Sequence, residues 1–395
     1  MVTDYSFLLQ SIAWPLVLLL AWFAAERVYE LWHIPRVTTY VAVGLMGGLI
    51  NLPGLTNDVP GLPFLANVAL SLVLFELGYR INLRWFRHNP WVLVLGVVES
   101  IVTFCVIYWV SGWFDLATDL RLIIAALSIS ASPAGIVRVA NELRSAGQVT
   151  ERVLHLCAIN CMVSVLVLKL VVGYWYLSTS GDLVLAAFGS IHQVGTSVAV
   201  GGLLGVAVPW LLRLRSTNER GVTVVFALSV LLLTTAAYGL KISPLLASLT
   251  FGVVARERRV HLTNAQRDFG TAGDMLSIFL FVYIASLLEW ASIGTGMLLG
   301  VLLILMRTAS KVGCNLVAAR FSGITERKGL LTGLALTPMS AFAILLIEQS
   351  RLYGFAPAVE VLSVTAGMML LQELLGPVVT QRALMAAQET HVTKG

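Results

Sequence analysis

Apolar stretches follow one another from end to end of this chain, and charge is confined to short intervals between them. That alternation restricts the fold more than any other feature. Of the 395 residues, 58% are apolar and 12% charged, about half the charged share of an ordinary soluble domain. In hydrocarbon each backbone N–H and C=O must be paired within the protein, so apolar runs of this length cross a bilayer as helices. A crossing takes about 20 apolar residues. Thirteen segments are candidates: 7–25, 37–52, 63–80, 91–112, 120–142, 152–177, 184–212, 221–240, 243–255, 272–289, 293–319, 329–349 and 358–381, of which 37–52 and 243–255 are short. The expected fold is an all-α polytopic membrane protein of about 13 helices. It fills 1–395 as a single transmembrane domain, with no soluble regulatory domain. The first segment follows Asp4 without a basic leader or a small-residue cleavage site, so it reads as a retained helix.

The loop charges test that count independently. With the N-terminus outside and the chain alternating, the cytoplasmic side receives Arg27 and Arg36, then Arg80, Arg84 and Arg87, then Arg144 and Arg152. Next come Arg213, Arg215 and Arg220, then Arg256, Arg258, Arg259 and Arg267. Arg320, Arg327 and Lys328 follow, with Arg382 and Lys394 last. These are 19 of the 26 basic residues; only Arg121, Lys241 and Arg351 fall outside, and Arg138, Lys169, Arg307 and Lys311 fall within spans. Basic residues are retained on the cytoplasmic side, and an error of one span would scramble the pattern downstream. The expected location is a cell inner or plasma membrane, with the N-terminus outside and the C-terminus cytoplasmic. The pI near 9.1 thus reflects topology and implies no nucleic-acid partner.

An odd number of spans admits an inverted repeat. Span 2 reads Ile34-Pro35-Arg36-Val37, then Gly44 and Gly47-Gly48; span 9 reads Ile242-Ser243-Pro244-Leu245, then Gly252. Span 5 is interrupted at Ser132-Pro133-Ala134 and span 12 at Thr337-Pro338-Met339. Both pairs lie seven spans apart, and an odd offset reverses orientation. The expected repeats cover about 37–177 and 243–381. Proline removes an N–H and frees a carbonyl one turn earlier. At membrane depth such groups are tolerated only against protein or a wet cavity. Matched interrupted spans in two inverted halves mark the binding site of a secondary transporter. No catalytic nucleophile–base set is evident, so an enzyme is not expected.

Charges inside spans are costly and usually functional. Arg307 and Lys311 share one face of span 11, and like charges at that spacing repel. At least one of them needs a partner or water, and Glu76, within Leu74-Phe75-Glu76-Leu77-Gly78, is a candidate counter-ion. Glu99, Asp274, Glu348 and Glu373 are further carboxylates in or near spans, each open to a structural or an interfacial role. Cys105, Cys157, Cys161 and Cys314 all lie in apolar segments, so they form no disulfide framework; Cys157 and Cys161 share a helix face, where a soft-metal site is conceivable but two buried structural thiols are expected. No cofactor is expected.

These residues, in this order, resemble the monovalent cation:proton antiporter superfamily, which includes Na+/H+ exchangers and Kef-type K+ efflux proteins. Ile34-Pro35-Arg36 with Gly44 and Gly47-Gly48 resembles the family's second helix, and Leu330 to Phe342 its second crossing helix. Leu74-Phe75-Glu76 resembles the third helix of Na+/H+ exchangers, whose glutamate pairs with an arginine that here is Arg307. Lys311-Val312-Gly313 resembles the core lysine of the electrogenic and Kef-type branches. The resemblance implies an ion pathway through Ser132, Pro133, Asn160, Cys161, Thr337, Pro338 and Lys311, a core ion pair of Glu76 and Arg307, a monovalent cation and a proton as substrates, membrane lipid around the chain, and a homodimer. The departure lies at the ion site. Where exchangers carry Thr-Asp-Pro in span 5 and Asn-Asp in span 6, this chain has Ala131-Ser132-Pro133 and Asn160-Cys161. A hard cation prefers oxygen donors, and a thiol replaces an aspartate poorly as ligand or proton carrier. Two readings stand: a cation:proton antiporter with rearranged chemistry, or the same fold used for an anion, a neutral solute or a non-transporting regulatory role.

Overall fold

The computed structural model describes residues 5–50, 61–180, 183–214, 219–258, 269–288, 290–339, 342–347 and 358–390. Glu348, Arg215, Arg259, Arg267, Arg351 and Lys394 lie outside the described residues. Among those described there are helices and no strand. They are α1 (Tyr5–Trp32), α2 (Arg36–Leu49), α3 (Leu62–Arg80), α4 (Leu83–His88), α5 (Pro90–Ser111), α6 (Thr118–Ile129), α7 (Pro133–Glu142), α8 (Gln148–Ser180), α9 (Leu183–Leu214), α10 (Glu219–Gly239) and α11 (Pro244–Glu257). Then follow α12 (Gly270–Ser286), α13 (Trp290–Phe321), α14 (Glu326–Ala335), a helical stretch at 342–347, and α15 (Ala358–Ala386).

Among the described residues, eight stretches are long and apolar enough to cross a membrane, α6 and α7 counting together. The other five expected spans correspond to α2, α11, α12, α14 with 342–347, and α15. Large apolar side chains such as Leu19, Trp109, Leu203 and Leu232 are exposed on the outer faces of the bundle, which suits lipid as the surrounding solvent. The sequence pattern missed α4, a six-residue helix whose Asn82 side chain accepts a hydrogen bond from the Arg84 N–H. It is too short to register as a span.

Proline starts α7 and α11 in the same way. Ser132 accepts a hydrogen bond from the Gly135 N–H and Ser243 from the Leu246 N–H, each just before a proline in the first turn. Serine supplies the missing N-terminal partner and proline sits where no N–H is needed. The halves also interlock reciprocally: α2 packs on α12, and α11 packs on α3. Gly78 and Gly252 let α3 and α11 touch through backbone. A Cβ at either position would strike the facing carbonyl, Leu249 or Phe75 respectively. Phe75, Phe226, Phe251 and Phe269 fill the space beside this crossing, with the Phe75 and Phe251 rings 4.7 Å apart.

The remaining core is built by α5, α6, α8, α13, α14 and α15. Both interrupted spans end inside it. α6 stops at Ile129 and α7 begins at Pro133; α14 stops at Ala335 and residues 337–339 are not helical. The breaks meet directly, because the Ser132 N–H donates to the Pro338 carbonyl at 2.6 Å.

A buried charge cluster at the helix crossing

A helix that stops inside a core leaves its last carbonyls without intrahelical partners. Here Arg307 supplies them. Its Nε donates to Ser128 O at 2.9 Å, Nη1 to Thr337 O, and Nη2 to Ser130 O and to Leu336 O. One guanidinium therefore closes both C-terminal half-helix ends, α6 and α14, and is itself fully buried. A planar fork of five N–H groups suits this task; an ammonium does not.

The stripe on α13 continues at four-residue spacing with Lys311 and Asn315. The Lys311 Nζ donates to Glu99 Oε1 at 2.6 Å and to Ile129 O at 3.2 Å. Glu99 stands on α5, completely buried like Lys311. Its Oε1 also accepts from Asn160 Nδ2 at 2.9 Å, and its Oε2 from Asn315 Nδ2 at 2.9 Å. The Ser100 hydroxyl turns toward Asn160 Oδ1 at 3.3 Å. Cys161, the next residue on α8, donates its thiol to Ala131 O at 3.3 Å, inside the first break.

The charges close locally. Helix C-termini carry about −0.5 charge each, so two such ends offset Arg307, and Glu99 offsets Lys311. Taking these ions out of water is costly, and only close pairing with further hydrogen bonds repays it. Every heteroatom of the Glu99 and Lys311 head groups is so engaged.

The structure thus gathers Ser132, Pro133, Asn160, Cys161, Arg307, Lys311, Thr337 and Pro338 around one crossing. It does not bring Glu76 to Arg307. Glu76 Oε1 accepts from Arg80 Nη2 at 2.8 Å and from Asn141 Nδ2 at 2.8 Å, and Arg80 also donates to Asn141 Oδ1. Glu76 finds its cation one turn along its own helix, and the donors of Arg307 are taken by break carbonyls. The expected core pair is corrected accordingly. Glu99, set aside as one carboxylate among several, is the partner of the α13 cations. Its signal was visible in the sequence, since it stands mid-span in a 22-residue apolar helix.

The second half of span 5 carries a polar face of its own. Arg138 of α7 pairs with Asp274 of α12 at 2.7 Å, Asn141 with Glu76 of α3, and Glu142 with Arg36 of α2 at 3.1 Å. Arg36 also binds Glu26 of α1 at 2.9 Å. Glu26, Arg36, Arg138, Asn141, Glu142 and Asp274 line a cavity of about 360 Å³ among α1, α2, α7 and α12. Among the described residues no group of three His, Cys, Asp or Glu side chains is placed to hold a metal.

Inverted halves, two interrupted helices crossing at their breaks, and a buried charge cluster at that crossing define an integral-membrane secondary transporter fold. The family model described as "sodium/hydrogen exchanger, transmembrane" matches residues 16–386, and the chain belongs to that family. Two solved structures share the fold, both of the sodium proton antiporter MjNhaP1 from Methanocaldococcus jannaschii. One, determined at pH 8, superposes with a TM-score of 0.69 at 16% identity, covering 97% of this chain and 96% of that one. The other, an electron-microscopy structure, superposes with a TM-score of 0.76 at 14% identity, covering 97% and 98%. Among curated proteins, no sequence matches.

Proposed function

We propose that this chain exchanges a monovalent cation, Na+ or K+, for protons, and that Glu99 is the carboxylate at which the exchange takes place. One observation carries the reading: a buried carboxylate at the crossing, held by Asn160 and Asn315 and neutralised by Lys311. The sodium/hydrogen exchanger family supports the substrate class. The positions that resemble the family's ion-site aspartates hold Ser132 and Cys161. In our reading, Glu99 supplies the lost carboxylate from the neighbouring helix.

The chemistry follows from the contacts. A hard cation needs oxygen donors. Glu99, the Asn160 and Ser132 side chains and the carbonyls of Ile129 and Ala131 are oxygens at the crossing beside Lys311 and Cys161, with Thr337 and Pro338 on its other side. A cation that binds Glu99 displaces the Lys311 ammonium. An ammonium left without its counter-charge at a buried site gives up its proton. Glu99⁻ with Lys311–NH3+ and an incoming cation becomes Glu99⁻ with the cation and neutral Lys311, releasing one proton. The net charge of the site is unchanged.

An anion would need free positive charge at the crossing, and in this geometry both Arg307 and Lys311 are already engaged. We take the repeats as 37–177 and 243–381, the N-terminus as outside and the C-terminus as cytoplasmic, in a cell inner or plasma membrane, and the assembly as a homodimer. The cavity at Glu26, Glu142 and Asp274 then opens on the cytoplasmic side.

The test is reconstitution into proteoliposomes bearing a pH gradient. Adding Na+ or K+ collapses the gradient in our reading, and exchanging chloride for a larger anion leaves it unaffected. Collapse that follows the anion, or no response to any ion, contradicts the proposal.

A further inference from the structure

On the far side of the α5–α13 pair from Glu99, the two helices leave a groove of about 510 Å³ on the outer face of the bundle. Its walls include Trp91, Val98 and Val106 of α5 and Gly313, Val317 and Phe321 of α13. Trp91, Val98, Val317 and Phe321 are all exposed. The floor is open at Gly313, where a Cβ would meet nothing within 4 Å. Between Trp91 and Val106 the helix rises about 22 Å at 1.5 Å per residue. That exceeds the roughly 15 Å depth of one leaflet's hydrocarbon. Trp91 and Phe321 close one end, their rings 5.9 Å apart.

That aromatic end adjoins a basic one. Arg87 precedes Trp91 by one helical turn's worth of chain. Arg84, Arg87 and His88 are exposed on α4. Among the described residues, neither the Arg84 nor the Arg87 guanidinium has an ion pair or hydrogen bond to a carboxylate. α4 is nonetheless fixed in place. Trp85 and Phe86 lie 4.4 and 5.0 Å from the buried His155 ring of α8, and His155 Nε2 accepts the Asn82 N–H. α4 thus carries two exposed guanidiniums within seven positions of Trp91, at the aromatic end of the apolar trough. Basic residues beside a span recruit anionic head groups.

We infer that this groove binds an anionic phospholipid, with an acyl chain between α5 and α13 and the phosphate on Arg84 and Arg87. Two groove-lining neighbours explain a structural consequence. Val98 adjoins Glu99 and Ser310 adjoins Lys311, so a chain seated here braces the helix turns that hold the buried pair. The inference does not depend on which ion, if any, the protein carries.

The test is thermal unfolding of the purified chain in detergent, with added phosphatidylglycerol, phosphatidylcholine or inorganic phosphate. Native mass spectrometry follows the bound lipid. Phosphatidylglycerol should raise the midpoint more than phosphatidylcholine and remain bound, and inorganic phosphate alone should do nothing. Gly313→Leu, which fills the floor, should remove the increment from both lipids. The surface pair Arg84→Gln with Arg87→Gln should reduce the phosphatidylglycerol increment to the phosphatidylcholine level. Equal increments for the two lipids in the wild type, an undiminished increment in Gly313→Leu, or an increment reproduced by phosphate overturns the inference. So does a change of oligomeric mass in Gly313→Leu, which would make the groove an interface between copies.

Discussion

At the scale of single residues, the account turns on which buried charges depend on one another. Glu99 and Lys311 are 2.6 Å apart and wholly buried. Removing one member of such a pair costs about 3–5 kcal/mol, because the other is left uncompensated, whereas replacing both is often near neutral. Glu99→Gln and Lys311→Met should each lower unfolding stability in detergent sharply, and the double variant should recover much of the loss. Strictly additive losses would show that the pair is not coupled. Arg307 sets a contrasting case. Its partners are carbonyls at the two breaks, and a buried polar group left unpaired costs about 1–3 kcal/mol. Arg307→Lys should therefore destabilise nearly as much as Arg307→Gln, since an ammonium cannot span both ends. Because Arg307 and Glu76 share no partner, losses from Glu76→Gln and Arg307→Gln should add; a large coupling energy would restore the pairing that the sequence suggested. Cys161→Asp probes the site itself. A carboxylate there meets the Ala131 carbonyl and competes with Glu99 for Lys311, so the ion and pH dependence of exchange should change. An unaltered profile would place Cys161 off the pathway.

At the scale of helices, close backbone approach is the feature most open to test. Gly78 and Gly252 sit where α3 and α11 touch, so Gly252→Ala overpacks the crossing and should cost about 1–3 kcal/mol. Gly202 of α9 has no neighbour within 4 Å of an added Cβ, so Gly202→Ala should be neutral, or stabilising by up to about 1 kcal/mol through helix propensity. Equal effects at the two positions would contradict the packing described. The spans themselves were legible in the sequence because lipid imposes one requirement, apolar length, on every crossing. Both proline breaks were legible for a related reason, since proline cannot continue a ladder of hydrogen bonds. Helix ends beyond the bilayer were less so: α1 runs to Trp32 and α8 starts at Gln148, because a helix continues past the point where its side chains stop being apolar. Which charges pair was not legible at all. Glu99 and Lys311 are 212 positions apart, whereas Glu76 found its cation four positions away. Sequence spacing ranks local partners, and only the fold reveals distant ones.

At the scale of the whole molecule, two interlocked halves hold a crossing whose polar groups are nearly all satisfied, and α7 ties that crossing to α2, α3 and α12 through Glu142, Asn141 and Arg138. A site so arranged can exchange one charge for another without leaving a bare ion in the core, which is what coupling of a cation to a proton requires. The central claim is that Glu99 carries that exchange, and the most direct measurement is cation-driven proton movement in proteoliposomes containing the wild type, Glu99→Gln or, as a control for a lost buried carboxylate elsewhere, Glu76→Gln. Each variant is first confirmed folded by its chromatographic profile. The account predicts Na+- or K+-driven proton movement in the wild type, its persistence in Glu76→Gln and its loss in Glu99→Gln; exchange at the wild-type rate in folded Glu99→Gln would contradict it.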